Sequence, residues 1–167
     1  EQLGDNKKVR EWLERAMQHS PDDIKPRAFL AEYHLREGKL ATAETYVREA
    51  LELFPDESAL LALSGRIYLA GSKYGKALDP LETLVKQEPS SVTGRLLLAE
   101  TYLQLERHDD ARRELLAAGE TSPDNVSLEA IFVRLELRLR DYGQALMHSR
   151  RISAAYPELY LGYELAG

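Results

Sequence analysis

Four histidines are the residues best suited to metal or proton chemistry in this chain: His19, His34, His108 and His148. A helix holds a metal through two imidazoles when they stand four residues apart, with an acid close by. No two of these stand so, and their spacings repeat nothing, so no metal centre is expected. The chain has no cysteine, which excludes a thiolate nucleophile, a disulfide and a cysteine-based zinc site. The acidic pair Asp109–Asp110 has the groups for acid–base work. In a helix-joining turn, however, such residues more often cap the next helix. No phosphate-binding glycine loop or nucleophile elbow occurs, and Gly71 and Gly75 bracket a turn and not a membrane helix. These residues point away from catalysis, and no cofactor is expected.

Charge, by contrast, recurs in register. Glu32, Arg66, Glu100 and Arg134 stand 34 residues apart with alternating sign. Leu35, Leu69, Leu103 and Leu137 follow each of them by three, and Arg36 and Arg138 come directly after the first and last leucine. Residues three or four apart share one helix face, so the two rows lie side by side. The charged row has two readings. One is a ladder of ion pairs between successive units, each contributing about 0–1 kcal/mol where exposed. The other is a clamp for a partner's charges. The leucines likewise are either core or an apolar stripe for a docked segment. In the second case Arg36 and Arg138 make that surface locally cationic.

The elements that position these rows follow the same period. Five of the seven prolines, Pro21, Pro55, Pro89, Pro123 and Pro157, are 34 residues apart. Ala43, Ala77, Ala111 and Ala145 precede the last four of them by twelve residues, and Ala31, Gly65 and Ala99 lie twelve further back. Small residues alternate with large ones such as Val47, Leu81 and Leu115 at helical spacing, and each run ends at a proline. The pattern predicts two antiparallel helices of about 12–15 residues per period, with no strands. The turns within each pair fall at Gly38, Gly71, Arg107–Asp109 and Asp141. Pro80, early in a second helix, removes one backbone donor. In the fourth period Val133 replaces the small residue, Glu136 the aromatic and Ser149 the large apolar one. Looser packing is expected there.

The chain resembles the tetratricopeptide repeat family, whose 34-residue unit follows the pattern W-x2-L-G-x2-Y…A-x3-F…P. One unit supplies Leu61, Ser64, Gly65, Tyr68, Ala77, Leu81, Leu84 and Pro89; the next supplies Arg95, Leu98, Ala99, Tyr102, Ala111, Leu115, Ala118 and Pro123. The resemblance implies an all-α fold, a right-handed α-solenoid of stacked helix–turn–helix hairpins. It also implies a concave groove, lined by the first helix of each hairpin, that binds a protein or peptide. On that helix lie Glu32, Leu35, Arg36, Arg66, Leu69, Glu100, Leu103, Arg134, Leu137 and Arg138. Some family members grip a chaperone's C-terminal carboxylate with a lysine-and-asparagine clamp. Here those places hold Ala28 and Glu32, Ala62 and Arg66, Leu96 and Glu100, so that ligand is not expected. The arginine- and alanine-rich run Leu96–Leu116 is similar to long bacterial members of the family, among them periplasmic scaffolds of exopolysaccharide synthesis and export. That likeness leans toward the periplasm over the cytoplasm.

Composition narrows the partners. A net charge of −6 argues against nucleic acid or an anionic membrane as the main partner, since both call for a basic surface. No apolar run approaches the roughly 20 residues of a membrane span. Full repeats are read at 24–57, 58–91, 92–125 and 126–159. Residues 1–23 match the second half of a repeat and 160–167 the start of another, as expected of a segment from a longer array. The expected function is a non-enzymatic interaction scaffold. The alternatives are a spacer that self-associates through its ends (Trp12 and Leu13; Tyr160, Leu161 and Tyr163) and an accessory region of a larger enzyme.

Overall fold

Helix starts recur with the same 34-residue step as the prolines. The computed structural model describes residues 2–20 and 23–157, and of residues 2–7, 9 and 10 the backbone alone. Pro21 and the expected terminal half-repeat, Tyr160, Leu161, Tyr163 and Gly167 included, lie outside the described residues. Among those described there are nine α-helices and no strand: α1 (Gln2–His19), α2 (Ile24–Arg36), α3 (Leu40–Leu53), α4 (Ser58–Ala70), α5 (Tyr74–Gln87), α6 (Val92–Gln104), α7 (His108–Thr121), α8 (Val126–Arg138) and α9 (Tyr142–Ala155). No helix among them is long and apolar enough to cross a membrane. The chain divides into two compact units at Gln87/Glu88, with α1–α5 in the first and α6–α9 in the second. In the first, α2 pairs with α3 and α4 with α5, and the hairpins stack through α3 on α4 and α2 on α4. In the second, α6 pairs with α7 and α8 with α9, and they stack through α7 on α8 and α6 on α8.

Short polar side chains begin the helices. Asp23, Ser91, Asn125 and Asp141 each accept a hydrogen bond from a backbone N–H of the first turn, which satisfies a donor the helix cannot reach. The turn that closes α2, α4, α6 and α8 is the same four times. Gly38, Ser72, Glu106 and Arg140 adopt left-handed φ of 70°, 54°, 59° and 61°. The N–H one residue further on, of Lys39, Lys73, Arg107 and Asp141, reaches back to the carbonyl of His34, Tyr68, Tyr102 and Glu136 at 2.8–2.9 Å. This is the Schellman closure, normally built on glycine. Only the first of the four has one. The left-handed residue of the second turn is Ser72 and not Gly71, which stays on the right-handed side with φ −86°. His108, Asp109 and Asp110 belong to the first turn of α7, not to the connection, and Arg107 occupies the cap position. Helix α5 runs through Pro80, which has no N–H to offer the carbonyl of Lys76.

Small residues bring the paired helices together. A Cβ built on Gly65 would stand 2.7 Å from Leu81 Cγ, inside van der Waals contact. Ala31, Ala43, Val47, Leu63 and Ile67 form one buried cluster of the first unit, with Leu35, Tyr46 and Leu51 against it. His34, at the aromatic position, is buried and stacks on the Tyr46 ring at 5.6 Å, with interplanar angle 2°. The fourth repeat is not loosened at these positions. Val133, at the place of Gly65, and Ser149, at the place of Leu81, are both fully buried. Bulk has been exchanged between the two positions, so the sum is roughly kept. Val133 joins Ala145 and Ile152 in a buried cluster of the second unit.

Gly65→Ala is therefore expected to destabilise the protein by about 1–3 kcal/mol through overpacking against Leu81, and Gly65→Ala with Leu81→Ala to lose less than the two separate effects added together. Urea unfolding of the three variants checks this. Glu106→Gly relieves a left-handed non-glycine residue and is expected to raise the urea midpoint, whereas Gly38→Ala lowers it by about 1 kcal/mol in stability.

Candidate functional site

The first helix of each hairpin carries the charged row, and within each unit its members meet. In the first unit Arg66 donates Nη1 to Glu32 Oε2 at 2.9 Å and Nη2 to Oε1 at 3.2 Å. Arg36, one turn along α2, adds Nε to Glu32 Oε1 at 3.2 Å. Partial burial pushes the Glu32 carboxyl upward, but the bonds and charges of Arg66 and Arg36 together outweigh it and hold the group below its ordinary value. In the second unit Arg134 grips Glu100 through both terminal nitrogens. Arg138 donates Nη1 to the Leu103 carbonyl at 3.0 Å and Nη2 to Gln104 Oε1 at 3.3 Å, which places a cation at the C-terminus of α6. In the first unit two guanidiniums thus meet one carboxylate, and in the second one guanidinium meets Glu100 while another sits at the end of α6, on a chain that is acidic as a whole.

The leucine row does not form a uniform stripe. Leu137 is exposed, Leu35 and Leu69 are half-buried, and Leu103 is buried completely. Leu35 packs against the cluster around Val47 and Leu63. Leu103 belongs to the core, and its backbone carbonyl is the part that meets Arg138. Of the residues picked from sequence, the structure joins Glu32, Arg36 and Arg66 in one unit, and Glu100, Arg134, Leu103 and Arg138 in the other.

A second polar constellation lies on the opposite face of α8, where sequence reasoning noticed only Glu136. Glu129 and Glu136 are buried there, with 5% and 3% exposure, at positions where α4 carries Leu61 and Tyr68. Arg112 of α7 donates Nη2 to both oxygens of Glu136, at 2.7 and 2.9 Å. His148 Nδ1 meets Glu129 Oε2 at 2.6 Å, and Arg151 Nη1 reaches Oε1 at 3.2 Å. The His148 ring lies flat on Phe132, centroids 4.6 Å apart. Comparing repeats position by position would have exposed Glu129, because the same place holds Leu61 in α4 but Arg27 and Arg95 in α2 and α6, each paired with a second-helix glutamate, and a buried carboxylate there calls for a cation in turn. The remaining histidines stay apart, and no group of three potential ligands that could hold a metal occurs among the described residues.

Comparison with known proteins agrees with this architecture. A tetratricopeptide repeat family model matches residues 2–67, and the model of anaphase-promoting complex, cyclosome, subunit 3 matches residues 39–118. The chain belongs to the tetratricopeptide repeat family. It is 28% identical over 115 residues to anaphase-promoting complex subunit 3 of Schizosaccharomyces pombe, an alignment covering 69% of this chain and 17% of that protein. The chain therefore spans about a sixth of that relative. Among solved structures, a tetratricopeptide repeat protein from Parabacteroides merdae superposes with a TM-score of 0.88 at 21% identity, over 99% of this chain and 66% of the other. A chain of the anaphase-promoting complex hetero-tetramer Cut9–Hcn1 gives 0.82 at 20% identity, over 98% and 33%. At these identities the structural likeness speaks for the fold alone, an all-α solenoid of tetratricopeptide hairpins.

The Glu32–Arg66 pair yields a measurable coupling. The folded carboxyl titrates below its unfolded value near 4.5, so its contribution is complete above that pH and is lost as the pH falls through the lower, folded value. A double-mutant cycle of Glu32→Gln and Arg66→Met is expected to give about 0.5–1 kcal/mol of coupling at neutral pH. The coupling should vanish in acid and shrink in 1 M salt, by roughly the screening of an exposed pair. A coupling that ignores both pH and salt would show that packing, not charge, joins α2 to α4.

Proposed function

We propose that this chain is a non-enzymatic interaction scaffold that holds a partner protein or peptide on the first helices of its hairpins. One observation carries the reading: the first helices of each unit bear two arginines to one carboxylate of this row, Arg36 and Arg66 on Glu32 in the first, and Arg134 on Glu100 with Arg138 at the end of α6 in the second, on an otherwise acidic chain. The excess guanidinium, with its fork of donors, suits a carboxylate-bearing segment. Leu69 and Leu137 add apolar contact beside it. Membership of a family whose relatives include subunits of a multiprotein complex supports this reading. The relatives named above lend no support to a place in envelope polysaccharide synthesis or export.

A second reading has its own observation. Trp12 and Phe29 of the first unit are 67% and 63% exposed, large apolar side chains in the region where α1 packs on α2. Such side chains favour self-association. An oligomer in light scattering that Trp12→Ala with Phe29→Ala dissolves would support the self-associating spacer.

The main reading predicts that a protein captured from the source cells by the wild-type chain is lost when Arg36→Glu and Arg138→Glu are introduced together. The double variant should keep the helicity of the wild-type chain by circular dichroism. Equal recovery by the two would remove the arginine face as the site.

A further inference from the structure

A cleft of about 800 Å3 runs between α7 and α9 with α8 as its floor, wholly within the second unit. Its floor is Glu129, Phe132 and Glu136, one face of α8; Arg134 and Arg138 project from the other side of that helix at 100° per residue. The two carboxylates are seven residues apart, about 10.5 Å along the axis. At the place of Glu129, α4 carries Leu61 whereas α2 and α6 carry Arg27 and Arg95, each paired with a glutamate of the second helix; at the place of Glu136 the other three carry His34, Tyr68 and Tyr102. Helix α8 alone of these four first helices carries an acid at both places, and that sets the sign of this cleft. Four carboxylates, with Glu120 and Asp141 the other two, face the cleft against the two guanidiniums of Arg112 and Arg151. Midway along the two walls stand Leu116 and Met147, 59% and 43% exposed. An open apolar mouth over an acid-rich floor complements a segment with an apolar anchor flanked by positive charge.

We propose that this cleft binds a basic amphipathic helix of another protein, its apolar side chain seated on Phe132 between Leu116 and Met147 and its lysines or arginines toward the ends of the cleft. Leu116 and Met147 supply the adaptable apolar contact. Arg112 and Arg151 offset Glu136 and Glu129 and hold them in place, so the cleft's surplus of two carboxylates, left by Glu120 and Asp141, supplies a negative potential without rearrangement of the floor on binding. The site is distinct from the arginine face of the first helices and takes a partner of opposite charge.

The test uses two labelled, end-capped 18-residue peptides with leucines at i, i+3, i+4 and i+7, one with lysine and one with glutamate on the flanking positions. Fluorescence anisotropy with the full chain is expected to show the lysine peptide bound at least about tenfold more tightly than the glutamate peptide. Leu116→Gln with Met147→Gln, which alters no charge, should weaken the lysine peptide about fivefold or more. Leu53→Gln, an exposed apolar position of the first unit that likewise alters no charge, should leave it within about twofold. Circular dichroism confirms that both variants are folded. Equal binding of the two peptides, binding of neither, or indifference to the Leu116 and Met147 changes overturns the proposal. The last would be the mark of diffuse attraction to an acidic protein.

Discussion

How near two helices of one hairpin approach is decided by what stands between them, and here that is a small residue against a large one. Gly65 leaves room for Leu81 and nothing more. Ala43, Ala77, Ala111 and Ala145 are buried in the corresponding places on the second helices. Where Val133 is too bulky to repeat the arrangement, the opposite position has shrunk to Ser149. This spacing positions the outward faces. Glu32 and Arg66, or Glu100 and Arg134, come from different hairpins and pair bidentately only because α2 and α4, or α6 and α8, lie at a fixed distance.

The closing turns extend the same constraint. A left-handed residue stops the first helix and turns the chain so that the second can lie back along it. The two hydrogen bonds of that turn are formed in all four hairpins, although three left-handed residues are serine, glutamate and arginine. Tertiary packing overrides the local preference of those side chains. Helix α8 shows a similar override, with two carboxylates buried in a helix that could have been apolar. It is tolerated because cations from the helices on either side reach them.

The period, the helix count per repeat and the alternation of small and large residues were legible in the sequence, since each is a property of spacing. Exposure was less so. Leu35, Leu69, Leu103 and Leu137 occupy one repeat position, yet one is buried and one is open. What covers a side chain depends on the neighbouring hairpin's residues and not on its own register. The turn at Ser72 was hidden because Gly71 beside it invites the left-handed role that it does not take. The fourth repeat read as degraded because Val133, Glu136 and Ser149 were judged singly, whereas each is compensated by a residue elsewhere in the fold. Among the candidate residues, the Glu–Arg pairs followed from their 34-residue step. The partners of Glu129 did not, because its row carries Arg27 and Arg95 in two other hairpins, where they face Glu49 and Glu114, and here the sign is reversed, with His148 and Arg151 in the places of Glu114 and Glu49.

Stacked hairpins behave as a one-dimensional chain, whose stability separates into a term internal to each hairpin and a term for each junction. The left-handed residues Ser72, Glu106 and Arg140 belong to the internal term, and the Glu32–Arg66 and Glu100–Arg134 pairs to the junction term. The two kinds of residue therefore govern different properties. A glycine in a turn makes one hairpin more self-sufficient and lets it stay folded when its neighbour opens. A stronger pair between first helices enlarges the block that must open together, and so lengthens the reach over which a disturbance at one hairpin is felt at the next.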